Sequence, residues 1–85
     1  MPYIPMPARP RVRTLGPGHA GELNFLVTEL CLAFVDGIGG PSYLAFNSAI
    51  GALECAKLEL YRRMVAPYED AKMAENGDVY PQEAK

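Results

Sequence analysis

The sequence predicts an all-α protein: an antiparallel helical hairpin behind an extended proline-rich arm, assembling as a homo-oligomer. Three observations predict it. Residues 41–66, PSYLAFNSAIGALECAKLELYRRMVA, carry apolar side chains at helical spacing on two faces. Residues 22–36 repeat the pattern over a shorter span, joined to the first through Gly39, Gly40 and Pro41. Residues 1–20 hold Pro2, Pro5, Pro7, Pro10 and Pro17, a density that disfavours helix and favours an extended course.

The arm, residues 1–20, is basic: Arg9, Arg11 and Arg13 stand there without an acid, while residues 22–85 carry all ten acids. Such an arm can clamp a neighbouring protomer or close over an anion, although three arginines are too few to read as nucleic-acid binding. Tyr3, Ile4, Met6 and Val12 give it apolar groups to bury, so the expectation is an arm laid across a neighbouring subunit.

The first helix is expected over 22–36. Gly21 can cap it, and Glu22 faces the positive end of the helix dipole. Leu23, Leu26, Val27, Leu30 and Phe34 make its core stripe, broadened by Phe25, Leu32 and Val35. Gly37 stops it, and residues 37–40 (GIGG) read as a turn, because the Lys-Ser/Thr of a phosphate loop does not follow.

The long helix is expected over 42–66. One stripe runs Tyr43, Phe46, Ile50, Leu53, Leu60 and Met64; the other runs Leu44, Gly51, Cys55, Leu58 and Val65. A helix of roughly 25 residues is ~37 Å long, whereas the first spans ~21 Å, so the shorter cannot cover the longer on both faces. The remainder calls for another copy, and Ala45, Ala49, Ala52 and Ala56 would let helices approach closely. Pro67 predicts a kink, a short helix follows over 68–75, and Asn76 and Gly77 end it. The organisation is then an arm (1–20), a helical hairpin domain (21–76) and a tail (77–85).

Eighty-five residues with a net charge of −2 make one small domain that is marginal without staples or partners. Cys31 and Cys55 sit in apolar helical surroundings and read as buried free thiols; with His19 alone in a Gly/Pro loop, no metal site and no cofactor is expected. The proline-rich beginning does not read as a leader, and no apolar run reaches the ~18 residues of a membrane span, so the expected location is cytoplasmic. The carboxylates lack the dense Glu-x-x-Glu spacing of helical pyrophosphohydrolases, and the protein is expected not to be an enzyme.

The functional candidates lie in residues 58–70, LELYRRMVAPYED. Arg62 and Arg63 can fork onto phosphate or carboxylate, and Tyr61 and Tyr68, one heptad apart, can stack on a base. Arg11 of the arm, with Arg9 or Arg13, would close the pocket. The competing reading is an ordinary solvated face in which Glu59 pairs with Arg62 and Arg63 at i+3 and i+4.

MPYIP at the start, GELNFLVTELC, IGALECAKLELYRRMVAPYEDAK and ENGDVY together resemble a small family of unassigned function associated with bacteriophage and prophage genomes; the arm at residues 8–19 differs. The order short helix, turn, long helix ending in Arg62 and Arg63 before Pro67 resembles phage anti-defence sponge proteins of the anti-CBASS and anti-Thoeris kind. That resemblance implies a homo-oligomer sequestering a cyclic-nucleotide-like signal in the host cytoplasm. The alternatives are a protein-binding, anti-CRISPR-like inhibitor of host machinery and a structural or assembly accessory.

Overall fold

A computed structural model describes residues 1–81; their regular structure is all helix, with no strand among the described residues. A 3₁₀ turn at Met6–Ala8 leads into α1 (Arg9–Leu15), followed by α2 (Ala20–Gly37), α3 (Tyr43–Leu60), a π turn at Tyr61–Val65, and α4 (Ala66–Asn76). The chain forms two compact units, Met1–Ala49 and Ile50–Lys85, and the division falls inside α3. The tail expected over 77–85 is described as far as Pro81; its last four positions lie outside the described residues.

The extended arm is the first correction. Proline 10 stands in the first turn of α1, and Pro7 in the first turn of the 3₁₀ segment. At those places an N–H has no intrahelical acceptor to lose and the fixed φ suits the helix. Placement, not density, decides what proline does here. Gly16, at φ +91°, ends α1, and its N–H donates to the Val12 carbonyl.

The arm then docks on α2 of its own chain. Val12 is fully buried, in one cluster with Ile4 and Phe25 and with Leu26 against it. Burial of that kind stabilises by roughly 1.5–3 kcal/mol per large apolar side chain. Tyr3 and Met6, expected to dock as well, remain exposed.

Helix α2 is capped by His19 rather than Gly21: its Nδ1 accepts from the Gly21 and Glu22 N–H groups at 3.1 and 3.4 Å. Accepting there puts the ring proton on Nε2, which faces Glu22 Oε2 at 3.4 Å. The expected core stripe is only partly realised. Phe25 and Val35 are buried, while Leu23, Leu30 and Phe34 stay exposed. Helix α2 runs through Gly37, and Gly39 and Gly40, both at positive φ, turn the chain.

Ser42 then caps α3, its Oγ accepting from the Ala45 N–H at 3.0 Å. Ala45 and Ala49 close with Val35 into a second buried cluster. Half of the small-residue seam is therefore used within the chain; Ala52 and Ala56 are exposed. Cys55 is exposed and Cys31 half-buried, both as free thiols, so the expectation of two buried cysteines is corrected for Cys55.

Pro67 does not break the helix. The ladder widens before it: the Ala66 N–H donates to the Tyr61 carbonyl, five residues back. Proline at position 67 has no N–H to offer Arg63, and its ring would press on that carbonyl in a regular α-turn. A π turn opens the backbone there and lets α4 continue with Pro67 in its first turn. The sequence-predicted kink at Pro67 is thus a widened turn ending two residues earlier.

Candidate functional site

The predicted pocket residues fall in two places. Arg11 belongs to the first unit and is engaged by Glu22. Tyr61, Arg62, Arg63 and Tyr68 belong to the second, and there they separate into three local arrangements.

Arg62 places Nη2 at 2.8 and 2.7 Å from the two oxygens of Glu59, and Arg63 Nη1 stands 3.6 Å from Glu59 Oε1. All three side chains are more than half exposed. This is the solvated-face pairing at i+3 and i+4, with one difference: a single carboxylate serves two guanidiniums, leaving the group with a net positive charge.

Tyr61 turns elsewhere. Its hydroxyl donates to Glu69 Oε1 at 2.5 Å, and that bond, with the nearby negative charge, holds the phenol above its ordinary value. The π turn explains this partner. It absorbs one extra residue, so a spacing of eight behaves as seven, which returns to the same helix face at 100° per residue. By the same count the heptad spacing of Tyr61 and Tyr68 behaves as six and takes Tyr68 off that face. The expected side-by-side tyrosines are therefore not formed; the Tyr68 ring instead lies 5.7 Å from Lys72 Nζ.

Tyr61, Glu69, Asp70, Lys72, Met73 and Tyr80 line an open groove of about 540 Å³ that also includes Asp78. Three carboxylates face one ammonium in it, so its field is negative and suits a cation or a donor better than a phosphate. Neither Arg62 nor Arg63 lines this groove.

In the first unit every arginine of the arm has a partner on its own chain. Arg11 Nη2 meets Glu22 Oε2 at 2.7 Å, and Arg13 forks onto Glu29 through Nε and Nη2 at 2.7–3.1 Å. The guanidiniums of Arg9 and Arg13 each stand 5.3 Å from the centre of the Phe25 ring, and Arg9 Nε donates to the Ile4 carbonyl. The Glu22 side chain is only 7% exposed, and its carboxyl is held below the ordinary value by the Gly18 N–H first and Arg11 second. Glu29 is lowered mainly by Arg13.

Sequence reasoning missed Glu69 as the acceptor of Tyr61, and Glu22 as the anchor of the arm. The spacing of Glu22 and Glu29 carried a signal. They are one heptad apart on α2, and Arg11 and Arg13 supply matching cations on the arm that precedes it.

Among the described residues no group of three or more His, Cys, Asp or Glu side chains is placed to hold a metal ion, and no helix is long and apolar enough to cross a membrane. No curated protein and no solved structure matches the chain. The family described as Domain of unknown function (DUF6899) matches over residues 1–79, and the chain belongs to that family.

Proposed function

We propose that this chain is a non-catalytic, homo-oligomeric helical protein, with α2 and α3 as the two arms of an antiparallel hairpin and the outer face of α3 as its assembly surface. One observation carries the reading: Tyr43, Phe46, Ile50 and Leu60, which share one stripe of α3, are each more than half exposed. A chain of this length that leaves so much apolar area in water holds little stability in reserve. Whatever covers the face must be present whenever the chain is made. A second copy meets that condition, because it is supplied at equal concentration by the same synthesis.

Sedimentation and native mass spectrometry of the purified protein test this. The expected result is a defined oligomer at micromolar concentration, and Leu53→Glu should dissociate it, since an unpaired charge in a buried seam costs several kcal/mol. A folded monomer would reject the reading and favour a surface that awaits a host protein, the inhibitor alternative.

A second reading adds an anionic, cyclic-nucleotide-like ligand sequestered at protomer interfaces, the role implied by the likeness to phage anti-defence sponges. It is favoured by the net positive charge of Arg62 and Arg63 around Glu59. An anion would have to compete with Glu59 for them, gaining about 1.5–3 kcal/mol per charge-assisted contact where solvent is excluded against under about 1 for the exposed pair. Calorimetric titration with linear and cyclic nucleotides, in wild type and in Arg62→Ala with Arg63→Ala, decides it. Absence of heat across the panel from folded protein would reject the ligand.

A further inference from the structure

We infer that α3 pairs with α3 of a second copy in the antiparallel sense, about a two-fold axis beside residue 55, with Lys57 of each copy meeting Glu54 of the other. This rests on the proposed homo-oligomer and adds the orientation and the contact that sets it.

Within the second unit, Ile50, Leu53, Lys57 and Leu60 recur at spacings of three, four and three along α3. That is the alternation of a helix seam built for a partner helix. The three apolar members are exposed, at 65%, 38% and 61%, and Ala56 beside them is small enough to let another helix approach. Lys57 is the exception, a cation in the middle of an apolar stripe. Its ammonium already leans to one edge of that stripe, where it meets Glu54 at 3.1 Å, with both side chains more than half exposed.

The lysine decides the orientation. In a parallel, in-register pair Lys57 would sit against Lys57 of the second copy, two like charges in one desolvated layer. Reversing one helix removes that conflict. Ile50 then faces Leu60 of the second copy, and Leu53 faces Lys57. The edge that carries Glu54 lies beside the same edge of the other helix, because antiparallel helices bring identical edges together. Each Lys57 gains the opposing Glu54 within about one residue's rise, ~1.5 Å, of its own level. Two carboxylates and two ammoniums then alternate around the axis. The surface is self-complementary in shape and charge, as an isologous contact requires.

Two experiments test this. The first uses the full chain with Cys31 and Cys55 replaced by serine, the fold checked by circular dichroism. Ile50→Cys and Leu60→Cys variants are oxidised separately and as a mixture. The expected result is a crosslinked dimer from the mixture and none from either variant alone. Crosslinking of Ile50→Cys with itself would mean a parallel pair. A sedimenting oligomer with no crosslink in any combination would mean that another surface assembles it. Either outcome overturns the inference while leaving the homo-oligomer standing. A wild type that sediments as a monomer overturns the homo-oligomer itself.

The second needs no buried change. Glu54→Lys and Lys57→Glu, both at exposed positions, should each weaken self-association by about tenfold, the order expected for two symmetry-related ion pairs. Mixing the two variants should restore affinity, because the heterodimer regains opposite charges across the seam. Pairing only within one chain would give no restoration on mixing, which would also overturn the inference.

Discussion

Val12→Ala is the sharpest perturbation of the first unit. Among the described residues Val12 is the one large side chain with no exposure, held among Ile4, Phe25 and Leu26. Removing two methyl groups costs about 1.5 kcal/mol in transfer free energy. If Ile4 and Phe25 do not collapse into the space, the cavity raises this to about 2–2.5 kcal/mol. The loss falls on α1, which meets the rest of the unit through this cluster, two ion pairs and the Arg–Phe25 contacts. Hydrogen exchange should therefore register local opening: amides of Arg9–Leu15 exchange about 30-fold faster, while those of α4 are unchanged. The measurement is exchange mass spectrometry at two protein concentrations tenfold apart. Because the arm packs on its own chain, its protection in wild type should be the same at both. Protection of α1 that falls on dilution would refute the reasoning, since it would mean that the arm is held by another copy. Unchanged exchange in the variant would refute it as well.

Three further outcomes follow from the same geometry. Glu22 has its folded-state value depressed below 4.5, so its contribution to stability is full above that value and is lost as pH falls through the folded value. Denaturant melts from pH 7 to pH 3 should show wild type losing stability in that window, and Glu22→Gln should flatten the slope. Tyr61 has a raised value, so its contribution is present below 10 and is lost as pH rises through the folded value. Glu69→Gln should bring one phenol back toward 10 in an ultraviolet titration, and Tyr61→Phe should remove that phenol from the curve. Pro67→Ala restores an N–H opposite the Arg63 carbonyl, so the ladder over Tyr61–Val65 should tighten to α-type bonding. Amide exchange and backbone chemical shifts across 61–67 report it, and a persisting π turn would show that proline is not its cause.

Pairings between segments of the chain were the least legible feature of the sequence. Arg11 and Arg13 read as free cations because their acceptors, Glu22 and Glu29, lie on a different helix, and only the turn at residues 16–19 brings them together. Pro10 read as a helix breaker because its effect depends on whether it stands in a first turn, which the residues before it decide. The Tyr61 and Tyr68 heptad failed for a local reason with a long reach. One π turn shifts the register of everything after it, so periodicity counted across Pro67 misassigns faces.

What the sequence determined by itself is the all-helical class, the existence of α2 and α3, the glycine turn between them, and the excess of apolar surface on α3. These follow from periodicity and backbone chemistry acting over a few residues, which hold whatever the segment later touches. The Glu59 pairing with Arg62 and Arg63 was legible for the same reason, lying within one helical turn. Only the tertiary structure decided that the arm is helical and docked in cis, that Ala45 and Ala49 are used against Val35, and that Tyr61 belongs with Glu69. The docking of the arm and the use of Ala45 and Ala49 depend on which distant group wins a shared partner, a competition settled by geometry across the fold, whereas the partner of Tyr61 follows from the register shift of the π turn.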